Sequence, residues 1–347
     1  MEVKEFLSNI PFYLSEVGKF NDVVLSTRIT LRRNIDTYKF VNKADQPQLK
    51  EIINCFENFD SLREDFSHFY KADELIADER ELLYERNHVG LGFISEPSNK
   101  AIMINNEENS GIIINDVEHI KIYYISPGLN FEDSFEKCLG AHLKISKEFK
   151  IGFDKEFGYL TASSNYTGSG LTISVLLHIP GLVIAEGIRE LSESLTKKRL
   201  SILPAFEERD KALGSLFYLR NKQTLGISEE DIIEIVRKNA EDIVKKEYNA
   251  RAFLMDNLPL EIEDRVKRAY GILTNAKLLE MGECLNLLSA IRLGIGYGII
   301  KGIDIQEINR LQFFTQPFHI RFSSDKKINP TLENQKRATI ISNRIGR

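Results

Sequence analysis

Every β-type run in this 347-residue chain lies ahead of residue 256. Beyond the helix-breaking string Asp256-Asn257-Leu258-Pro259, residues 260–309 are helical in pattern with little strand signal. That switch of period dictates the architecture: an α+β fold class, with an antiparallel sheet flanked by helices in residues 1–256 and an α-helical C-terminal domain in residues 257–347. The composition can fill such a fold, since 42% of residues are hydrophobic, 28% charged and nine are proline. These proportions exclude disordered, collagen-like and disulfide-scaffold chains.

Within the first part, residues 23–31 read as a strand carrying Arg28, and residues 47–84 show the three-to-four spacing of surface helices. Residues 101–104, 111–115 and 119–125 are short β-rich runs. The first two flank the turn-forming string Asn105-Asn106-Glu107-Glu108-Asn109-Ser110, which predicts an antiparallel meander. Residues 131–149 predict a helix, 158–161 a strand, 171–197 one long helix and 216–225 another strand-rich stretch. Ser228, followed by Glu229, Glu230 and Asp231, predicts the N-cap of a helix running to about Met255.

Forty-six basic and 51 acidic residues give a net charge of −5, so no general attraction for nucleic acid or an anionic membrane is expected. Cys55, Cys138 and Cys284 are far apart and form no C-x-x-C pair, which points to a reducing compartment. The N-terminus lacks the basic start and unbroken apolar stretch of an export signal, and residues 173–185 are too short and interrupted for a membrane span. A cytoplasmic protein is expected. The string Thr167-Gly168-Ser169-Gly170 lacks P-loop and dinucleotide spacing and reads as a turn. Glu107-Glu108 reads as a solvated hairpin tip, and His119 and His178 as packed histidines, so no metal site is expected.

Taken in order, several strings resemble the ATP:guanido phosphotransferases, and among them the bacterial protein arginine kinases. Residues 24–34, VLSTRITLRRN, resemble that family's S-S-R-I-R-L-A-R-N strand. Phe157-Gly158-Tyr159-Leu160-Thr161 with residues 168–182 resembles its G-Y-L-T-x-C-P-T-N-x-G-T-G-L-R-A-S-V-M-x-H-L-P segment. Residues 221–233 resemble S-N-Q-x-T-L-G-x-S-E-x-E-I-I, and residues 264–273 the start of the family's helical domain. The resemblance spans nearly the whole chain and implies the guanido-kinase fold.

It also implies where the chemistry would lie. Transfer of the γ-phosphoryl of ATP to a guanidinium needs a cationic cage for the triphosphate and carboxylates that orient the nucleophile. Of the five cage positions, Arg28 is kept and Lys121 holds a second. Thr30, Thr172 and Leu203 stand where arginines are expected. Ser26 belongs to the same nucleotide strand. Matching Asn115-Asp116-Val117-Glu118-His119-Ile120-Lys121 to N-E-E-D-H-I-R puts Val117 at the carboxylate position that grips the guanidinium. Asp116 and Glu208 are left as vestigial catalytic acids, and Ser163 stands in place of a reactive cysteine. Loss of three arginines removes roughly 5–9 kcal/mol of phosphate binding, since each charged hydrogen bond contributes about 1.5–3 kcal/mol.

The expectation is therefore a catalytically inactive or severely impaired relative, a pseudokinase serving as a binding or regulatory module and needing no cofactor. Its partner would be a protein: an active arginine kinase, its activator or an arginine-phosphorylated protein. A homodimer stays open. The alternative is an active enzyme using Mg-ATP at a rebuilt site. Glu333-Asn334-Gln335-Lys336-Arg337-Ala338 retains half of the family's R-D-x-x-R-A phosphoarginine string, leaving Arg337 as its anion-binding candidate.

Overall fold

The computed structural model describes residues 3–208, 211–324 and 328–346. The chain lays down β1 (Val24–Arg33), β2 (His68–Lys71), β3 (Ala101–Ile104), β4 (Ser110–Ile114) and β5 (Ile120–Pro127) before the helix Glu132–Glu148. A two-residue hairpin follows, β6 (Phe153–Asp154) and β7 (Gly158–Tyr159), then β8 (Leu171–His178) and β9 (Leu200–Pro204). A second short hairpin, β10 (Glu207–Glu208) and β11 (Lys211–Ala212), leads into β12 (Leu216–Asn221). Eight of these strands make one antiparallel sheet in the order β2-β3-β4-β5-β1-β8-β12-β9.

Alternation along the strands divides the sheet into two faces. Ile29, Leu31, Ile122, Ile173, Val175, Leu177 and Leu219 point to one side, where Cys138, Ala141 and Ile145 of the helix Glu132–Glu148 and Ile232, Val236 and Ile243 of the helix Glu229–Asn257 bury them. On the other side, Ile102, Ile104, Ile113, Tyr123 and Ile125 are covered by Phe6, Tyr13, Leu82, Leu83, Phe93 and Phe313. That second layer stops at β5. The rest of this face, across β1, β8, β12 and β9, carries mostly polar side chains and holds the candidate site.

Leu258 ends the helix Glu229–Asn257 and precedes Pro259–Asn275, with Pro259 in the first turn where its missing N–H costs nothing. Ser228 caps the long helix, its Oγ accepting from the Asp231 backbone N–H at 3.1 Å. Two expectations are corrected. Residues 171–197 are a strand, β8, followed by the short helix Pro180–Ile184 and the helix Ile188–Lys197. A strand, β2, also interrupts the helices of residues 47–84.

Candidate functional site

Pairing register sorts the open face into tiers, because directly opposed residues share a side of the sheet. In the first tier Ser26 of β1 aligns through Leu176 and Tyr218 with Leu203 of β9. The second aligns Arg28 through Ser174 with Arg220 of β12 and Ser201. The third joins Thr30 to Thr172 on one side and Tyr123 on the other, and the fourth pairs Arg32 with Lys121 of β5. Successive tiers lie two residues, about 6.7 Å, apart.

The positions where the family strings have arginine, Leu203 in the first tier and Thr30 and Thr172 in the third, hold none. Leu203 is 48% exposed at the edge strand. Yet Arg32 and Arg220 stand where those strings carry alanine and serine, and the register puts both on the cage face. The face therefore has four cations, Arg28, Arg32, Lys121 and Arg220. Arg28 and Lys121 hold positions of the family cage, while Arg32 and Arg220 stand one tier further along the strands than Thr30 and Leu203. Sequence reasoning missed Arg32 and Arg220, although the two-residue step from Arg28 through Thr30 to Arg32 was available as a signal.

Each guanidinium is seated on a ring. Arg28 lies 4.1 Å from the Tyr123 ring centroid and donates to the Asn87 carbonyl oxygen. Arg32 lies 3.7 Å from the Tyr166 centroid and donates to Thr172 Oγ1 at 2.6 Å, while Arg220 lies 4.7 Å from the Tyr218 centroid. Burial lowers the pKa of Arg28 and of Arg32. The Lys121 ammonium is pushed down to about 7, first by burial and then by Arg32 and Arg28, against the opposing pull of Asp116.

The carboxylates are arranged for other purposes. Asp116 lies between Lys100 Nζ at 3.9 Å and Lys121 Nζ at 3.8 Å, as a shared counter-ion. Val117 is 50% exposed in the turn between β4 and β5. Glu118 is buried and accepts from Asn34 Nδ2 at 2.6 Å and from the backbone N–H groups of Ala162 and Ser163 at 2.6 and 3.1 Å. It thereby pins the loop that carries Ser163 and Tyr166. Glu208 is exposed on β10, and its carboxylate lies against Gly282, where an added Cβ would come within 2.8 Å of Oε2. Among the described residues no cation of the cage lies within ion-pair distance of Glu208.

The glycine string packs rather than cradles. A Cβ at Gly168 would come within 2.1 Å of the Thr224 carbonyl oxygen, and Gly170, at φ +64°, abuts the Arg32 carbonyl oxygen. Arg337 is corrected as an anion-binding group. Fully buried, it donates to Thr315 O at 2.8 Å, Leu279 O at 2.9 Å, Asn334 Oδ1 at 2.7 Å and Glu333 Oε1 at 2.7 Å, tying the helical domain together.

Comparison with known proteins shows the family and the fold. Residues 49–250 match the family model described as ATP:guanido phosphotransferase, C-terminal catalytic domain, and residues 259–347 that of the protein-arginine kinase McsB C-terminal domain. The protein-arginine kinase of Halothermothrix orenii is 30% identical over 99% of each chain. That of Bacillus cereus strain AH187 is 33% identical over 94% of each. Among solved structures, the duplicated taurocyamine kinase of Schistosoma mansoni with bound transition-state analogue components shares the fold at TM-score 0.60 and 18% identity, covering 80% of this chain and 41% of that one. Lombricine kinase does so at TM-score 0.58 and 18% identity, over 70% and 72%. The chain belongs to the ATP:guanido phosphotransferase family, in its protein-arginine-kinase group.

Proposed function

We propose that this chain has exchanged arginine phosphorylation for binding, and works as a catalytically silent regulatory relative of the protein arginine kinases. The observation that carries the reading is Val117. A guanidinium placed at the position that residue occupies would meet an apolar side chain where the family offers a carboxylate. Its neighbours offer no replacement, because Asp116 is shared by two lysines and Glu118 is fully engaged with Asn34 and the 162–163 backbone. Orienting the nucleophile is a large part of such a reaction, and misplacement by about 1 Å already costs on the order of 10²-fold. The partner on this reading is a protein: an active arginine kinase, its activator or an arginine-phosphorylated protein. The three cysteines are unpaired, which supports a reducing cytoplasm as its place.

A second reading, an active Mg-ATP-dependent arginine kinase with a rebuilt site, is favoured by the entry of Arg32 and Arg220 onto the cage face. Incubation with Mg-ATP and an arginine-rich protein, followed by detection of acid-labile phosphoarginine, separates the two. No phosphoarginine is expected from the unmodified chain. Turnover comparable to ordinary kinases, on the order of 1 s⁻¹ or above, would establish the second reading instead.

A further inference from the structure

The cations of the open face are not matched by anions. Among the described residues no carboxylate lies within ion-pair distance of Arg28, Arg32 or Arg220, and Lys121 has only Asp116, shared with Lys100. The Arg220 Nε is buried without a hydrogen-bond partner. Two pairs, Arg28 with Arg220 and Arg32 with Lys121, stand one tier either side of Thr30 and Thr172. The cations therefore bracket a short, hydroxyl-bearing floor. Partly buried guanidinium forks held this way suit a tetrahedral oxyanion, which they can meet with two donors each. The tyrosines beside them are already occupied: the rings of Tyr123, Tyr166 and Tyr218 lie under Arg28, Arg32 and Arg220, leaving those faces covered against a stacked base.

We propose that this partly relocated cation set is a binding site for a compact anion bearing one or two phosphoryl groups, recognised without a nucleoside through Arg32, Arg220 and Lys121. This deepens the binding-protein reading and rests on it. Anion binding at this face is also proton-linked. Lys121 faces Arg28 and Arg32 from β1, Arg220 from β12 and Asp116 from its own turn, with Lys100 behind Asp116. In the free protein this surround leaves it titrating near neutral pH, at about 7. A bound anion favours the ammonium form, so binding draws a proton onto Lys121 and weakens as pH rises.

The test is calorimetric titration of the full chain with pyrophosphate, ADP and sulfate. Pyrophosphate should saturate below millimolar concentration, and ADP, with the same two phosphoryl groups plus a nucleoside, should bind within about threefold of it. Arg220→Ser, at a partly exposed position, should weaken pyrophosphate by about tenfold or more, and Arg32→Ala by at least as much. Sulfate, whose charge is constant between pH 6 and 8, should bind about tenfold more tightly at pH 6 than at pH 8. Lys121→Met should abolish that pH dependence in a protein with an unchanged melt. No pyrophosphate binding by the folded chain overturns the site. ADP binding more than tenfold tighter than pyrophosphate overturns recognition without a nucleoside, and pH-independent sulfate binding overturns the role of Lys121. The two readings fail separately: phosphoarginine in the transfer assay removes the binding-protein reading, whereas silence in the pyrophosphate titration removes the anion site.

Discussion

Arg337 and Arg220 carry the same guanidinium to opposite ends. At Arg337 the partners are carbonyl, amide and carboxylate oxygens of the helical domain, with Glu333 closing the ion pair. Arg337→Ala should therefore cost about 3–5 kcal/mol, the penalty for breaking a buried pair and stranding its acceptors. Urea denaturation reads this directly, and a loss below about 1 kcal/mol would contradict the assignment. At Val117 the prediction concerns activity. Val117→Glu combined with Thr30→Arg, Thr172→Arg and Leu203→Arg should give the transfer assay its first measurable phosphoarginine, since the four changes restore the triphosphate cage and a carboxylate where the guanidinium would enter. A folded quadruple variant that stays silent would contradict the role given to these positions. What the sequence made legible here was the set of family positions, because motif strings fix residues such as Arg28, Thr30 and Leu203 by offset alone. What it hid was compensation. Arg32 shares the face of Arg28 by the two-residue step along β1, but Arg220 becomes a neighbour of the cage only through the pairing of β12 with β8 and of β8 with β1, and pairing between distant strands leaves no mark in local sequence. Arg337 was hidden likewise, since its partners Leu279 and Thr315 come from other segments of the chain.

Elements were legible in proportion to how cleanly their periods showed. The antiparallel meander of β3, β4 and β5 could be read from its β-rich runs and the polar turn string between β3 and β4, although both faces of those two strands are buried, and the long helix from its Ser228 cap and acidic first turn. In β8, Ile173, Val175 and Leu177 alternate with Thr172, Ser174 and Leu176, but Leu176 and the apolar residues after His178 turn the pattern into one long apolar run. A run of that kind cannot be assigned by periodicity alone, and it was read as a helix. The 105–110 hairpin shows the converse error. Its polarity suggested a solvated tip, yet Glu108 is 1% exposed. Its carboxylate takes Arg86 Nε and Nη2 at 2.6 and 2.7 Å, with His88 Nε2 at 3.4 Å. Glu108→Gln should cost about 3–5 kcal/mol by leaving the Arg86 charge uncompensated. An effect within about 0.5 kcal/mol, typical of exposed hairpin tips, would restore the solvated reading.

The same network joins the two parts of the molecule. Arg86 Nη2 donates to the Asn9 carbonyl oxygen at 3.2 Å and Nη1 meets His319 Nε2 at 3.3 Å. His319 Nδ1 in turn lies 2.9 Å from Glu85 Oε2, and Glu85 also accepts from the backbone N–H groups of Phe318 and His319. Because an arginine can only donate, His319 Nε2 accepts and Nδ1 holds the proton, so the ring is neutral. Residue 87, next along the chain, gives its carbonyl to Arg28, which brings the anion face within one peptide of the contact between domains. A second junction is made by His178, whose Nε2 lies 2.8 Å from Ser289 Oγ of the helical part. These junctions make stability depend on pH with a defined sign. Burial lowers the pKa of His88, His178 and His319 below 6.5, and that of His142 to about 4, so the native state keeps them neutral while the unfolded chain takes up protons. Each such group removes stability at about 1.4 kcal/mol per pH unit once the pH falls below about 6.5. Glu108 adds to the fall only later. Its pKa is held below the usual carboxylate value by His88 and Arg86 against the opposing effect of burial, so its contribution is full above about 4.5 and fades below. Lys121, neutral above about 7 in the native state but protonated in the unfolded chain, adds a fall of about 1 kcal/mol from pH 8 to 7, so unfolding free energy should decline gently over that interval and drop steeply from 6.5 to 5. Since His319 and His178 both sit between the two parts, the helical part should release first, turning one urea transition at pH 7.5 into two near pH 5.5. A single transition of undiminished midpoint at pH 5.5 would mean that the buried histidines do not couple the domains.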